Sequence, residues 1–273
     1  MRLRDGGLVV LAVALALLAG ACSRLTFVKP NADRRGAERV APEYRFKETR
    51  AGKARAEARR HVAAADRHLR ADEADAALAA AGAALKADPS LPESHTMMAL
   101  AATRQGQDEL AGRHYAEAAR LHPSGATYNN YGAWLCGNAR ARESLRWFDE
   151  ALQDPGYGDQ AGALANAGAC AARAGEHGRV ERDLRAALEL DPANVVALEA
   201  MASHAFGQGR YLEARAFSER RLAAAPVTPA TLELASRIEE QLGDTVAATR
   251  YVQRLRTEFP QARNTLPGDS AQP

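Results

Sequence analysis

Six prolines, Pro89, Pro123, Pro155, Pro192, Pro226 and Pro260, stand 34, 32, 37, 34 and 34 residues apart. A period in this range marks a solenoid, in which each unit buries its apolar face only when a neighbour stacks on it. Other positions keep step with the prolines. A small residue recurs as Ala65, Ala99, Gly132, Gly168, Ala202 and Ser236, and a second such column runs Ala77, Ala111, Ser144, Ala214 and Ala248, with Val180 the exception. Small side chains at such crossings let two helices approach closely. Gly106, Gly175, Gly209 and Gly243 fall between the columns, where a tight inter-helix turn favours positive φ. Each proline lacks an N–H and ends the second helix of its unit. Larger residues follow the second column, as in Tyr115, Phe148 and Leu184, with Ala118, Ala151 and Ala187 three places on. Aromatic residues make up only 5% of the chain, which disfavours a sheet and leaves helices packed through alanine.

The pattern resembles the tetratricopeptide repeat over residues 58–260, with ALKADP, ALQDP and ALELDP as second-helix endings. The resemblance implies an all-α fold, a superhelical solenoid of six helix pairs. The third unit ends early and is followed by Gly156-Tyr157-Gly158-Asp159. No strand pattern precedes these glycines and no GK[ST] follows, so a loop insertion is expected there and not a phosphate loop.

The first residues form a separate object. Arg2 and Arg4 precede an apolar run from Leu8 to Leu18, about half of what a bilayer-spanning helix needs, so 1–21 reads as a signal peptide. LLAGAC resembles a bacterial lipobox, with Ala19 where leucine is usual; it implies cleavage before Cys22 and lipidation there. The alternative at this site is an ordinary secretory cleavage that happens to end on cysteine. Ser23 in place of Asp resembles lipoproteins sent to the outer membrane. Residues 22–57 read as a flexible basic tether: between Cys22 and Arg60 there are 12 Lys and Arg against five Asp and Glu, although the whole chain carries only +2. The repeat body is therefore acidic. The tether is either a solvated linker or a patch drawn to anionic headgroups or peptidoglycan. Residues 261–273 read as a disordered tail.

Thr127 to Cys136, TYNNYGAWLC, form the first helix of the third unit in this frame. Tyr131, Trp134 and Leu135 are expected to pack. First helices of tetratricopeptide arrays line the concave surface, so Asn129, Asn130 and Asn166 either offer amides to a partner backbone or bond a neighbouring helix. Val62, Leu69, Met97 and Leu100 are candidates for an apolar lining in the first two units, or for the core. The groove so formed suits an apolar helix or an extended segment. With Cys22 lipidated, Cys136 and Cys170 remain as a pair in an oxidising compartment. They form a disulfide or stay as two buried thiols.

Asn129-Asn130-Tyr131-Gly132 with Leu135-Cys136, followed by Asn166-Ala167-Gly168-Ala169-Cys170 behind a lipobox, resembles the type IV pilus biogenesis and stability lipoproteins of the PilF/PilW family. That resemblance implies an outer-membrane pilotin. It would be lipid-anchored, face the periplasm, act as a monomer, bind the pilus secretin, and promote secretin localisation, multimerisation or stability. Two rivals remain: a scaffold of outer-membrane protein assembly, and an adaptor for a periplasmic protease or cell-wall hydrolase. No catalytic, metal or cofactor site is expected, because the seven histidines show no HExxH pair and no GxSxG elbow is present. An acidic body also argues against nucleic acid.

Overall fold

The computed structural model describes residues 49–261. The signal peptide, Cys22 and the tail from residue 262 lie outside the described residues. The twelve helices among the described residues form six antiparallel pairs. They are α1 (Arg50–Arg70) with α2 (Ala74–Ala87), α3 (Pro92–Arg104) with α4 (Asp108–Leu121), and α5 (Gly125–Gly137) with α6 (Ala141–Gln153). The series continues with α7 (Gln160–Ala174) and α8 (His177–Leu190), α9 (Val195–Gly207) and α10 (Tyr211–Ala224), and α11 (Pro229–Leu242) and α12 (Thr245–Glu258). Each odd-numbered helix packs most closely on the even one that follows, and each pair stacks on the next. This is the tetratricopeptide-repeat solenoid expected from the period.

Both small-residue columns are buried throughout, from Ala65 and Ala77 to Ser236 and Ala248. Phe148 and Leu184, the larger residues between them, are fully buried. They lie against the small column: a Cβ at Gly132 would come within 2.9 Å of the Phe148 ring, and one at Gly168 within 2.6 Å of Leu184. From the third unit to the fifth the core is continuous, running through Phe148, Leu184, Leu198, Met201 and Phe217.

The turns follow from local chemistry. Gly106, Gly175, Gly209 and Gly243 all take positive φ, between 68° and 80°. The first and third units lack glycine at this point, and Asp72 and Ala139 adopt φ 59° in its place. The aspartate of each Asp-Pro ending folds back on the chain: Asp88, Asp154 and Asp191 accept the backbone N–H two residues on, at 2.9, 2.9 and 3.1 Å. Such Asx turns turn the chain out of the helix just where the proline also bars it from continuing. Arginines then tie neighbouring second helices together. Arg179 on α8 reaches Asp149 on α6 at 3.0 Å and Asp183 at 2.7 Å, and Arg210 reaches Glu181.

The first helix starts earlier than the sequence reading places it. Residues 50–57, read as the end of the tether, are the first two turns of α1, because the Thr49 hydroxyl accepts the Gly52 N–H at 3.0 Å and caps the helix. Ala51 and, after Gly52, Lys53 to Glu57 then supply strong helix formers.

Candidate functional site

α5 is placed by caps at its N-terminus. Ser124 and Thr127 form a reciprocal capping box, and the Asp154 carboxylate, from the end of α6, accepts the Gly125 N–H. These bonds to Gly125 and Gly156 hold the Asp154 carboxyl below its usual range. An anion position at this helix start is thus filled by the protein itself, and so is that of α7, the helix that follows Gly156 to Gly158, where Asp159 accepts the Gly162 N–H at 2.9 Å. Tyr157 from the insertion packs on Gly125, where a Cβ would come within 2.3 Å of the ring.

Within α5 the aromatic residues pack. Leu135 is fully buried; Trp134 lies over Gly112 of the preceding unit, and Tyr131 stacks on Trp134 with ring centroids 5.9 Å apart. Both join the cluster around Ala99, Ala102, Ala111 and Tyr115.

The other face of α5 borders a hollow. α3 and α5 barely approach each other, and a groove of about 520 Å³ opens between the first helices of the first three units. Val62 of α1, Met97 of α3 and Asn130 of α5 meet in it. Leu69 and Leu100 lie together further along α1 and α3, in a smaller recess of about 220 Å³ beside Asp66, Arg70 and Arg104. Leu100 also packs on the core, so it serves both surfaces. Asn129 and Asn166 are drawn to each other: the Asn166 amide donates to Asn129 Oδ1 at 3.0 Å, linking α7 to α5. Of the two readings open for these amides, the bond to a neighbouring helix is the one made. The Asn129 amide NH₂ and the Asn166 carbonyl are not used in that bond.

Cys136 on α5 and Cys170 on α7 are joined as a disulfide, S–S 2.06 Å with Cα atoms 5.8 Å apart. Both are nearly buried, at 4% and 5% exposure. The bridge crosses the two helices that carry the asparagines.

Sequence reasoning missed Arg59, Asp66, Glu93, Thr96 and His122, which also line the hollow. Helical spacing carries the signal: 59, 62 and 66 share one face of α1, as do 93, 96, 97 and 100 on α3. It also missed that His95 and His114 meet, Nδ1 to Nδ1 at 2.9 Å, with His95 Nε2 3.0 Å from the Pro89 carbonyl. Burial, then His95 and Arg113, push the His114 pKa down. Among the described residues no group of three or more His, Cys, Asp or Glu could hold a metal ion.

No family model matches the chain. A solved structure described as PilW, a widely conserved type IV pilus biogenesis factor, shares 28% identity at TM-score 0.67, over 75% of this chain and 94% of that one. The chain resembles PilW in sequence and in fold. PilF of Pseudomonas aeruginosa superposes at TM-score 0.65 over 78% of this chain and 95% of its own, and at 20% identity it speaks for the fold. A Haemophilus influenzae protein described as uncharacterized is 35% identical over 89 residues, 32% of this chain. The chain spans half the length of that curated relative.

Proposed function

We propose that this protein is an outer-membrane lipoprotein of type IV pilus biogenesis, a pilotin that binds the pilus secretin and promotes its localisation, multimerisation or stability. The observation that carries this is the match to 94% of PilW at 28% identity. The groove supports it: Val62 and Met97 give an apolar floor and Asn130 an amide at its wall, which suits an apolar partner segment gripped by its backbone. Lipid on Cys22 would fix the protein to the membrane, the tether would give reach, and the rigid array would hold the secretin segment at high effective concentration. Nothing is turned over in such a mechanism.

The test is genetic and biochemical. In cells deleted for the gene, secretin multimers in outer-membrane fractions should fall, and wild-type protein should restore them. Cys22→Ser should lose palmitate labelling and membrane retention. Met97→Asp with Asn130→Ala should keep the anchor and lose the secretin. Normal secretin multimers in the deletion strain would reject the reading; co-purification of a barrel-assembly component or a hydrolase in place of secretin would point to a scaffold or an adaptor.

A further inference from the structure

A second groove, of about 430 Å³, lies between α7 and α9 in the fourth and fifth units. Its floor is made of short side chains, Ala169, Ala172 and Ala200, with Val195 and Val196 along one wall. Val196 is 44% exposed, one of four exposed large apolar residues among the described residues. Such a surface accepts short apolar side chains.

The charges at its rim are unequally engaged. Glu199 is taken by Arg221 at 3.1 Å. His204 Nε2 lies 3.0 Å from Gln208 Nε2 and 3.6 Å from Glu181. Arg173 is different: its guanidinium lies 3.8 Å from the Cys136 sulfur, and among the described residues it forms no ion pair. Arg142, Arg179, Arg185, Arg210, Arg215 and Arg221 all hold carboxylates. Arg173 therefore presents an uncommitted cation beside apolar surface, within a body whose net charge is negative. Its position on α7 is held three residues from the bridge at Cys170.

We infer that this groove is a second docking site, and that it takes an internal segment of a partner protein in which an Asp or Glu side chain is flanked by short apolar residues. This rests on the reading of the concave surface as partner-binding, but not on the partner being a secretin. An isolated cation in an acidic body sets the position of an acidic group as well as attracting it, because the surroundings repel a carboxylate placed elsewhere. One guanidinium with apolar wall beside it matches a single side-chain carboxylate with apolar neighbours. On α7, Asn166 and Ala169 share the helix face of Arg173, so a bound segment that continues past the guanidinium meets the Asn129–Asn166 amides.

The test uses the detergent-solubilised full chain and fluorescein-labelled nine-residue peptides, acetylated and amidated, with Ala, Val and Ser around a central Asp or, in each twin, Asn. Fluorescence anisotropy at low salt should show Asp peptides binding about five-fold tighter than their Asn twins. Arg173→Gln should erase that difference, and Val196→Asp should weaken both twins, with the helical circular dichroism unchanged in each variant. Equal binding of twins, discrimination that survives Arg173→Gln, or no binding by any peptide would overturn the proposal. So would a peptide with a free C-terminal carboxylate and central Asn that outcompetes the Asp peptides, since the site would then recognise a chain end. Failure here leaves the secretin reading standing, because that is judged by secretin multimers and by Met97→Asp with Asn130→Ala.

Discussion

The indole of Trp134 covers Gly112 so closely that a Cβ at position 112 would stand 2.3 Å from two of its ring carbons. The contact joins the second unit to the third, and it has a harder counterpart at Gly168, where a Cβ would meet Leu184 Cγ at 2.6 Å and the Leu184 backbone nitrogen at 3.1 Å. Trp134 is half-buried and can swing outward, whereas Leu184 is fully buried and a backbone atom cannot yield alone. Gly112→Ala should therefore cost about 1 kcal/mol and Gly168→Ala about 2–3 kcal/mol. Urea unfolding followed by circular dichroism orders the two; the reverse order would contradict this account of the crossings.

The repeat frame, the buried columns and the positive-φ glycines were legible because each repeats, and repetition exposes a geometric requirement that a single residue hides. What was not legible arises where two units depart from the common pattern. Asp72 and Ala139 take the left-handed turn without glycine; aspartate is among the residues that tolerate this conformation, whereas the alanine side chain carries no such signal. The placing of Val62, Met97 and Asn130 in one hollow followed from the first helices lining it, but the pairing of Asn166 with Asn129 depends on how α7 sits against α5. Arg173 could not be singled out among many arginines, since what marks it is its place beside the apolar lining of the second groove with no ion pair among the described residues.

Ala139 has φ 59° where four other units carry glycine. A side chain in the left-handed region is strained, and glycine relieves the strain at some cost in unfolded-state entropy. Ala139→Gly should stabilise the protein by about 0.5–1 kcal/mol, the net of those two effects. A raised Tm in thermal unfolding checks it; an unchanged or lower Tm would mean that the turn is relaxed as it stands.

The Cys136–Cys170 bridge closes a loop with a sequence separation of 34. In the chain-entropy description, a loop of that length is worth about 3–4 kcal/mol. Cys136→Ala with Cys170→Ala should lose about that much and should loosen α5 against α7 before the outer units. Hydrogen exchange localises the effect: faster exchange confined to α5 and α7 fits a local clasp, while uniform acceleration would assign the bridge to the whole array.

Tyr157 gives the insertion after Pro155 a dependence on alkali. Burial against Gly125, and secondarily the charge of Asp159, push its phenol up to about 12, from an ordinary value of 10.0. The folded state therefore keeps the proton through a window in which the unfolded chain has released it. Stability from this contact is complete below about pH 10 and is lost as pH rises towards the folded value, because ionising the phenol in place would set a charge against buried surface and near Asp159. Burial also raises Tyr115 and Tyr251, so some alkaline decline will remain in any variant that keeps them. Tyr157→Phe keeps the ring over Gly125 and removes the ionisable group. Its Tm should match that of the wild type near neutrality and fall less steeply between about pH 10 and pH 12. Parallel Tm curves across that window would show that the phenol is solvated in the folded protein and that the loop is not seated on α5 as the structure has it.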